Sequence, residues 1–164
     1  MRPETEASVT IAPGVPGDAA ALACLHAACF ARGWDEESIW RYLGDPNCVV
    51  LLACRSGRST PQGFLICRAS GAEAEIFSIA VAPQMRGQGI GAALWLAARS
   101  ELLARGVDRV VLEVGEDNKA ALALYRRFDF HKVGRRKDYY RSASGEPCLD
   151  GLIMACDLAA NAGP

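Results

Sequence analysis

No stretch of this 164-residue chain is apolar for long enough to cross a bilayer. Runs such as residues 19–25 and 120–124 fall far short of the ~20 residues that a spanning helix requires. An excess of basic charge is missing too: 18 Lys and Arg stand against 19 Asp and Glu, a formal net charge of −1. A nucleic-acid binder recruits phosphates with a basic field, so direct nucleic-acid binding is not expected. The opening residues, Met1-Arg2-Pro3-Glu4-Thr5-Glu6, lack the basic lead-in and apolar stretch of a secretion signal. The expected location is the cytoplasm, with no membrane partner. Histidine is scarce, at positions 26 and 131 alone, and the seven cysteines (24, 29, 48, 54, 67, 148 and 156) contain no CxxC pair. Without clustered ligands no metal site is expected. An odd number of cysteines set in apolar runs, as in Cys48-Val49-Val50-Leu51-Leu52-Ala53-Cys54, reads as reduced thiols serving as small hydrophobes.

What is present is a globular composition, with 51% hydrophobic and 23% charged residues. The length suits one core, and no repeat or linker divides it. The expectation is a single domain over residues 1–158, followed by a disordered tail over 159–164, in a monomer or weak dimer.

Hydrophobic patterning orders the elements. Val9-Thr10-Ile11 reads as a strand, broken by Pro13-Gly14-Val15-Pro16-Gly17. Asp18 is placed to cap a helix that runs to about Phe30, and Asp35-Glu36-Glu37-Ser38 opens another with acids in its first turn. Residues 48–55, 62–69 and 74–81 read as three strands with short turns, an antiparallel meander. Ile90, Leu94, Ala98 and Leu102 recur every four residues in a helix over 89–105 that Gly106 stops. Residues 109–114 form a β-branched run. Asn118 is placed to cap a helix carrying Ala121, Leu124, Tyr125 and Phe128 on one stripe. Residues 132–141 and 149–158 read as two closing strands. The order β-α-α-β-β-β-α-β-α-β-β predicts an α/β (α+β) domain, a mixed sheet with helices packed on it.

Between the third strand of the meander and the long helix lies Arg86-Gly87-Gln88-Gly89-Ile90-Gly91. Glycines let backbone N–H groups converge, and with the positive end of a helix behind them they suit a phosphate or pyrophosphate. Arg86 is able to add a charge-assisted contact. A plain strand-to-helix turn would read the same way. The stretch also fits the dinucleotide pattern G-x-G-x-x-A, with Glu113 as an acid on the following strand. That alternative is weakened by the four residues 82–85 between strand and loop, and by the single βα unit that remains downstream.

Ile79-Ala80-Val81 followed by Arg86-x-x-Gly89-x-Gly91 resembles the acetyl-CoA motif of the GNAT acetyltransferase superfamily. Leu112-Glu113-Val114, Asn118-x-x-Ala121-x-x-Leu124-Tyr125, Phe130, Arg135-Arg136-x-x-Tyr139-Tyr140 and Asp150-x-x-x-Met154 extend the likeness over residues 9–158. Together they are similar to the bacterial ribosomal-protein-alanine N-acetyltransferases. The resemblance implies the GNAT fold, a mostly antiparallel sheet of about seven strands with four helices on both faces. It implies acetyl-CoA as co-substrate and a protein N-terminus, an alanine of a ribosomal protein, as acceptor. Two positions depart from the family pattern: Asp129 stands where a glycine is usual, and Gly151 where an alanine is. Aspartate tolerates a left-handed helix end better than most residues.

The chemistry calls for three things: a base for the amine, an acid for the departing thiolate and donors for the oxyanion. Glu113 sits mid-strand and shares a face with Val111, opposite Val110, Leu112 and Val114. By itself that describes a solvated strand residue; the resemblance implies the general base. Tyr125 is at once a core-facing aromatic and, by resemblance, the general acid beside the CoA sulfur. The resemblance also implies cofactor contacts from Ile79, Ala80, Val81, Arg86, Gly87, Gln88, Gly89, Ile90, Gly91 and Asn118, the last equally readable as a helix cap. Trp34, Tyr139 and Tyr140 are candidates for the acceptor groove. Trp34 reads equally as a staple over the first two helices, and at most one of the tyrosine pair faces the acceptor. With no serine or cysteine beside a partnered base, direct attack in a ternary complex is expected. A lysine or small-molecule amine as acceptor, or a non-catalytic acetyl-CoA-binding module, are the alternatives.

Overall fold

The structure, a computed structural model, describes residues 8–55, 60–140 and 149–158, with the side chains of 138–140 outside that description. The turn expected at 56–59, the whole connection expected at 142–147 with residues 141 and 148 on either side, and the tail expected at 159–164 lie outside the described residues.

Among the described residues the elements are β1 (Val9–Pro13), α1 (Ala19–Cys29), α2 (Glu36–Gly44), β2 (Cys48–Arg55), β3 (Pro61–Ser70), β4 (Glu73–Val81), α3 (Ile90–Ala104), β5 (Arg109–Gly115), α4 (Lys119–Arg127), β6 (His131–Tyr140) and β7 (Leu149–Asp157). Short 3-10 turns at Pro16–Asp18 and Pro83–Met85 precede α1 and the glycine loop. The seven strands form one sheet in the order β1-β2-β3-β4-β5-β7-β6. β4 and β5 are parallel, whereas β1–β2, β5–β7 and β6–β7 are antiparallel. The element order matches the sequence reading, and the mixed, mostly antiparallel sheet with four helices is the GNAT fold. No helix among the described residues is long and apolar enough to cross a membrane.

The chain divides into two compact units, one built from the described residues up to Cys67 with Ser78–Glu101, the other from Arg68–Phe77 with Leu102 onward. In the first, β2 and the start of β3 are buried residue after residue, which is why they read as continuous apolar runs with no alternation. Phe64, Leu65 and Ile66 are wholly buried, each contributing about 1.5–3 kcal/mol of transfer free energy. Gly63 carries no side chain because its Cβ would lie 3.0 Å from the Ala80 carbonyl oxygen and 3.1 Å from Ile90. In the second unit Val110, Leu112 and Val114 of β5 are buried against a core shared with Leu152, Met154 and Cys156 of β7.

Helix ends follow local chemistry with one exception. Asn118 caps α4, its side-chain oxygen accepting from the Ala121 N–H at 3.1 Å. Both α3 and α4 end in the same motif. Gly106 (φ 79°) and Asp129 (φ 61°) take the left-handed position. Val107 then donates back to the Leu102 carbonyl, and Phe130 to that of Tyr125, each at 3.0 Å. Asp129 thus does the work of the glycine that is usual there. Asp18, in contrast, does not cap α1. The 3-10 turn runs straight into the helix, so Asp18 already has helical backbone angles, and its carboxylate turns back to accept from the Val15 N–H at 2.8 Å. A capping side chain needs extended backbone, which this entry denies it. On α4 the buried positions are Leu122 and Tyr125, with Ala121, Leu124 and Phe128 half-buried. The apolar stripe is broad, and its period locates its centre only to within about a residue.

Candidate active site

In the first unit, β4 ends at Ile79-Ala80-Val81, with Ala80 buried and its neighbours half-buried. The 3-10 turn leads to Arg86, and then Gly87 (φ 76°) and Gly89 (φ 77°) take left-handed conformations on either side of Gln88. A Cβ at either glycine would meet nothing within 4 Å. Their requirement is therefore conformational: two reversals of the backbone within three residues turn successive N–H groups toward one side. The Gly89 carbonyl accepts the N–H of Ala93 at 3.0 Å, beginning α3. The N–H groups of Ile90, Gly91 and Ala92 fall in the first turn, where a helix has no carbonyl of its own to offer. This is an anion-binding construction.

Side chains around the loop are partly committed. Arg86 Nε donates to the Val81 carbonyl at 3.1 Å, which the Cys29 thiol also approaches at 3.5 Å. The two Nη groups are what Arg86 has left for a phosphate. Gln88 Nε2 lies 4.0 Å from the Met85 sulfur, and Ile90 is buried. Trp34 is half-buried, its ring stacked on His26 at 4.7 Å and tilted toward Tyr42 at 5.2 Å, so it does staple the segment between α1 and α2.

His26 is a residue that the sequence reading passed over. It is 3% exposed, lies between the rings of Phe30 and Trp34, and accepts the Trp34 backbone N–H on Nδ1 at 3.1 Å. Burial pushes its pKa below the usual 6.5 or so. The unfolded chain therefore takes a proton near pH 6.5 while the folded ring stays neutral to lower pH, so stability falls as pH drops below that point. The melting temperature is expected to decline between about pH 7.5 and about pH 5.5, and His26→Gln to flatten that part of the profile. Equal slopes in the two proteins would remove His26 as the titrating group.

In the second unit, Glu113 lies opposite Ile153 of β7 and is half-buried. Its Oε2 accepts from Arg136 Nη1 at 3.3 Å, while Oε1 is buried with no hydrogen-bond partner among the described residues. Tyr125 is buried on α4, its ring 5.4 Å from that of Phe130. Asn118 is the cap of the same helix. Arg135, adjacent to Arg136 and so on the opposite face of β6, pairs with Asp150 at 2.6 Å and Glu116 at 3.2 Å. Tyr140 is paired with Leu149 at the end of β6, but the Tyr139 and Tyr140 side chains lie outside the described residues. No group of three or more His, Cys, Asp or Glu among the described residues is placed to hold a metal ion. Sequence reasoning missed that Arg136 holds Glu113 Oε2 and that a Cβ at Gly151 would meet Glu113 Oε1. A lone glycine inside a strand pattern marks a close approach and was the available signal for the second.

Comparison with known proteins finds acetyltransferases similar to this chain. Ribosomal protein bS18-alanine N-acetyltransferase of Escherichia coli strain K12 is 40% identical over 87 residues, 53% of this chain and 57% of that enzyme. Mycothiol acetyltransferase of Clavibacter michiganensis subsp. michiganensis is 35% identical over 111 residues, 68% of this chain and 36% of that protein. The matched part is thus little more than half of the first relative and about a third of the second. The crystal structure of the ribosomal-protein-S18-alanine N-acetyltransferase from Escherichia coli has a TM-score of 0.83 at 29% identity, covering 92% of this chain and 94% of that one. The acetyltransferase (GNAT) family pattern matches residues 19–130, from the first turn of α1 to Phe130. Since that span holds β4, the glycine loop, Glu113, Asn118 and Tyr125, this chain belongs to the acetyltransferase (GNAT) family.

Proposed function

We propose that the chain is an acetyl-CoA-dependent N-acetyltransferase whose acceptor is a protein N-terminal α-amine, an alanine of a ribosomal protein. The observation that carries the reading is Glu113 Oε1, a buried carboxylate oxygen with no hydrogen-bond partner among the described residues, on β5 of a GNAT-family chain. A buried acceptor left open costs free energy unless a donor arrives in use. The relative that is 40% identical supports the choice of acceptor.

In this reading Gly87, Gln88, Gly89, Ile90 and Gly91 hold the pyrophosphate by backbone N–H groups, with Arg86 adding charge. Ile79, Ala80 and Val81 line the path of the pantetheine, and their backbone offers donors to the thioester oxygen. Asn118 acts as a helix cap that sets the start of α4. The acceptor ammonium gives its proton to Glu113, directly or through water, and the neutral amine attacks the thioester carbon. Negative charge builds on the carbonyl oxygen, where fixed donors stabilise it. As the C–S bond breaks, the thiolate takes the phenolic proton of Tyr125, and the second proton, which the attacking nitrogen still carries, passes to the phenolate or to water, leaving the neutral amide. Both substrates are bound together, and no acyl-enzyme forms. A free α-amine titrates near ~8 and a lysine near about 10.4, so one carboxylate serves the former far more readily at neutral pH.

The experiment is CoA release with a peptide beginning in free Ala, beside the same peptide N-terminally blocked but carrying a lysine. Acetylation only at the free α-amine is the expected result, located by mass spectrometry. Acetylation at lysine would replace the proposed acceptor, and acetyl-CoA binding without transfer would favour a binding module. The likeness to mycothiol acetyltransferase supports a second reading, a small-molecule amine as acceptor. Turnover with small free amines but not the Ala peptide would establish it.

A further inference from the structure

β7 runs between β5 and β6, so Glu113 and Arg136 stand on strands roughly 10 Å apart, two strand spacings. They nevertheless meet at 3.3 Å. The registers explain how. Glu113 is opposite Ile153, and Gly151, two residues along β7, shares that face and is itself opposite Arg136. Any side chain at 151 would stand between them. A Cβ at Gly151 would sit on Glu113 Oε1, inside contact distance, with the carboxyl carbon and Cγ each 3.2 Å away. The backbone of Gly151 is not in the left-handed region, so its conformation makes no demand for glycine. Space alone makes that demand.

We infer that Gly151 and Arg136 are positioning residues for Glu113. Gly151 leaves the notch in which the carboxylate lies. Arg136 reaches through the notch to hold Oε2 while Oε1 rests over Gly151, and between them they fix the place and plane of the carboxylate that takes the proton of the incoming amine. The inference rests on the reading of Glu113 as the base. It adds what fixes the carboxylate in place and why β7 carries no side chain at Gly151. It also turns the Gly-for-Ala departure of the family pattern into a property of this chain.

The test is a set of variants measured at saturating acetyl-CoA with the acceptor that the peptide experiment identifies. Gly151→Ala is expected to lower kcat about ten- to a hundredfold, the scale of a misplaced reacting group, with KM for acetyl-CoA within about twofold. In a Glu113→Gln background the same substitution is expected to cost nothing more, because it acts only through the carboxylate. Arg136→Met should lower kcat severalfold, and Arg136→Lys should recover most of the loss by keeping the charge. If Gly151→Ala proves unable to fold, the Arg136 pair decides, and an Arg136→Met protein with native kcat overturns the inference. Native kcat in a folded Gly151→Ala protein overturns it as well, as do Gly151→Ala and Glu113→Gln losses that multiply. Native turnover in Glu113→Gln alone is a different failure, that of the base itself.

Discussion

A Glu113→Gln variant is expected to turn over about 10²–10⁴ times more slowly than the native protein, the usual contribution of a positioned general base. Glutamine keeps the length and volume of the side chain, so the notch at Gly151 stays filled. Its amide oxygen is still able to accept from Arg136, now 3.3 Å from Oε2. What it cannot do is take a proton from an ammonium. KM for acetyl-CoA should hardly move, since Glu113 lies outside the glycine loop, and the melting temperature should stay within a few degrees of the native value. Steady-state kinetics with both substrates varied would check this. Turnover within twofold of native would make Glu113 a structural carboxylate, the counter-ion of Arg136 and nothing more. A large rise in KM for acetyl-CoA with kcat preserved would move it from proton transfer to cofactor binding.

The second large effect is expected at Gly89. Its φ of 77° lies where a β-branched residue is strained by about 1–3 kcal/mol, so Gly89→Val should open the loop without filling any space, since a Cβ there touches nothing within 4 Å. Because the loop holds the pyrophosphate through its backbone, the loss should fall on acetyl-CoA. An increase in its Kd of about five- to a hundredfold is expected from that strain, read by calorimetry or by CoA competition. Gly89→Asn, which tolerates the left-handed region, should bind better than Gly89→Val although it is bulkier than alanine. Equal losses for Asn and Val would mean that side-chain size, and not backbone conformation, governs the site. Native affinity in both would take the glycine loop out of cofactor binding.

Much of the fold was legible in the sequence because most of its elements are decided by neighbours a few residues apart. The β2 run is apolar from Cys48 to Cys54 since it is buried on both faces over most of that length, and its bounds in the structure, Cys48–Arg55, are those the pattern predicts. Asn118 and Gly106 mark helix ends through their own backbone and side-chain hydrogen bonds, and Asp129 substitutes for glycine by the same local logic. Asp18 reads as a cap from residue type alone, but the 3-10 turn ahead of it changes the backbone angle on which capping depends. His26 had no signal as a site, since a lone histidine on an Ala-rich helix does not announce three aromatic neighbours drawn from the α1–α2 segment (Phe30 and Trp34) and β3 (Phe64).

The sequence by itself determined the order of elements, the glycine loop between strand and helix, most of the helix ends and the family, because each is written in residue type at short spacing. Only the tertiary structure decided the sheet order, with the last strand inserted between β5 and β6. Strand pairing depends on the register of residues forty or more positions apart, such as Glu113 with Ile153, and no local period encodes it. That insertion is what brings Glu113, Gly151 and Arg136 together on one face of the sheet. A glutamate, a glycine and an arginine that are unremarked in their own strands become a held carboxylate because β7 offers backbone, and no side chain, at the point where the other two cross.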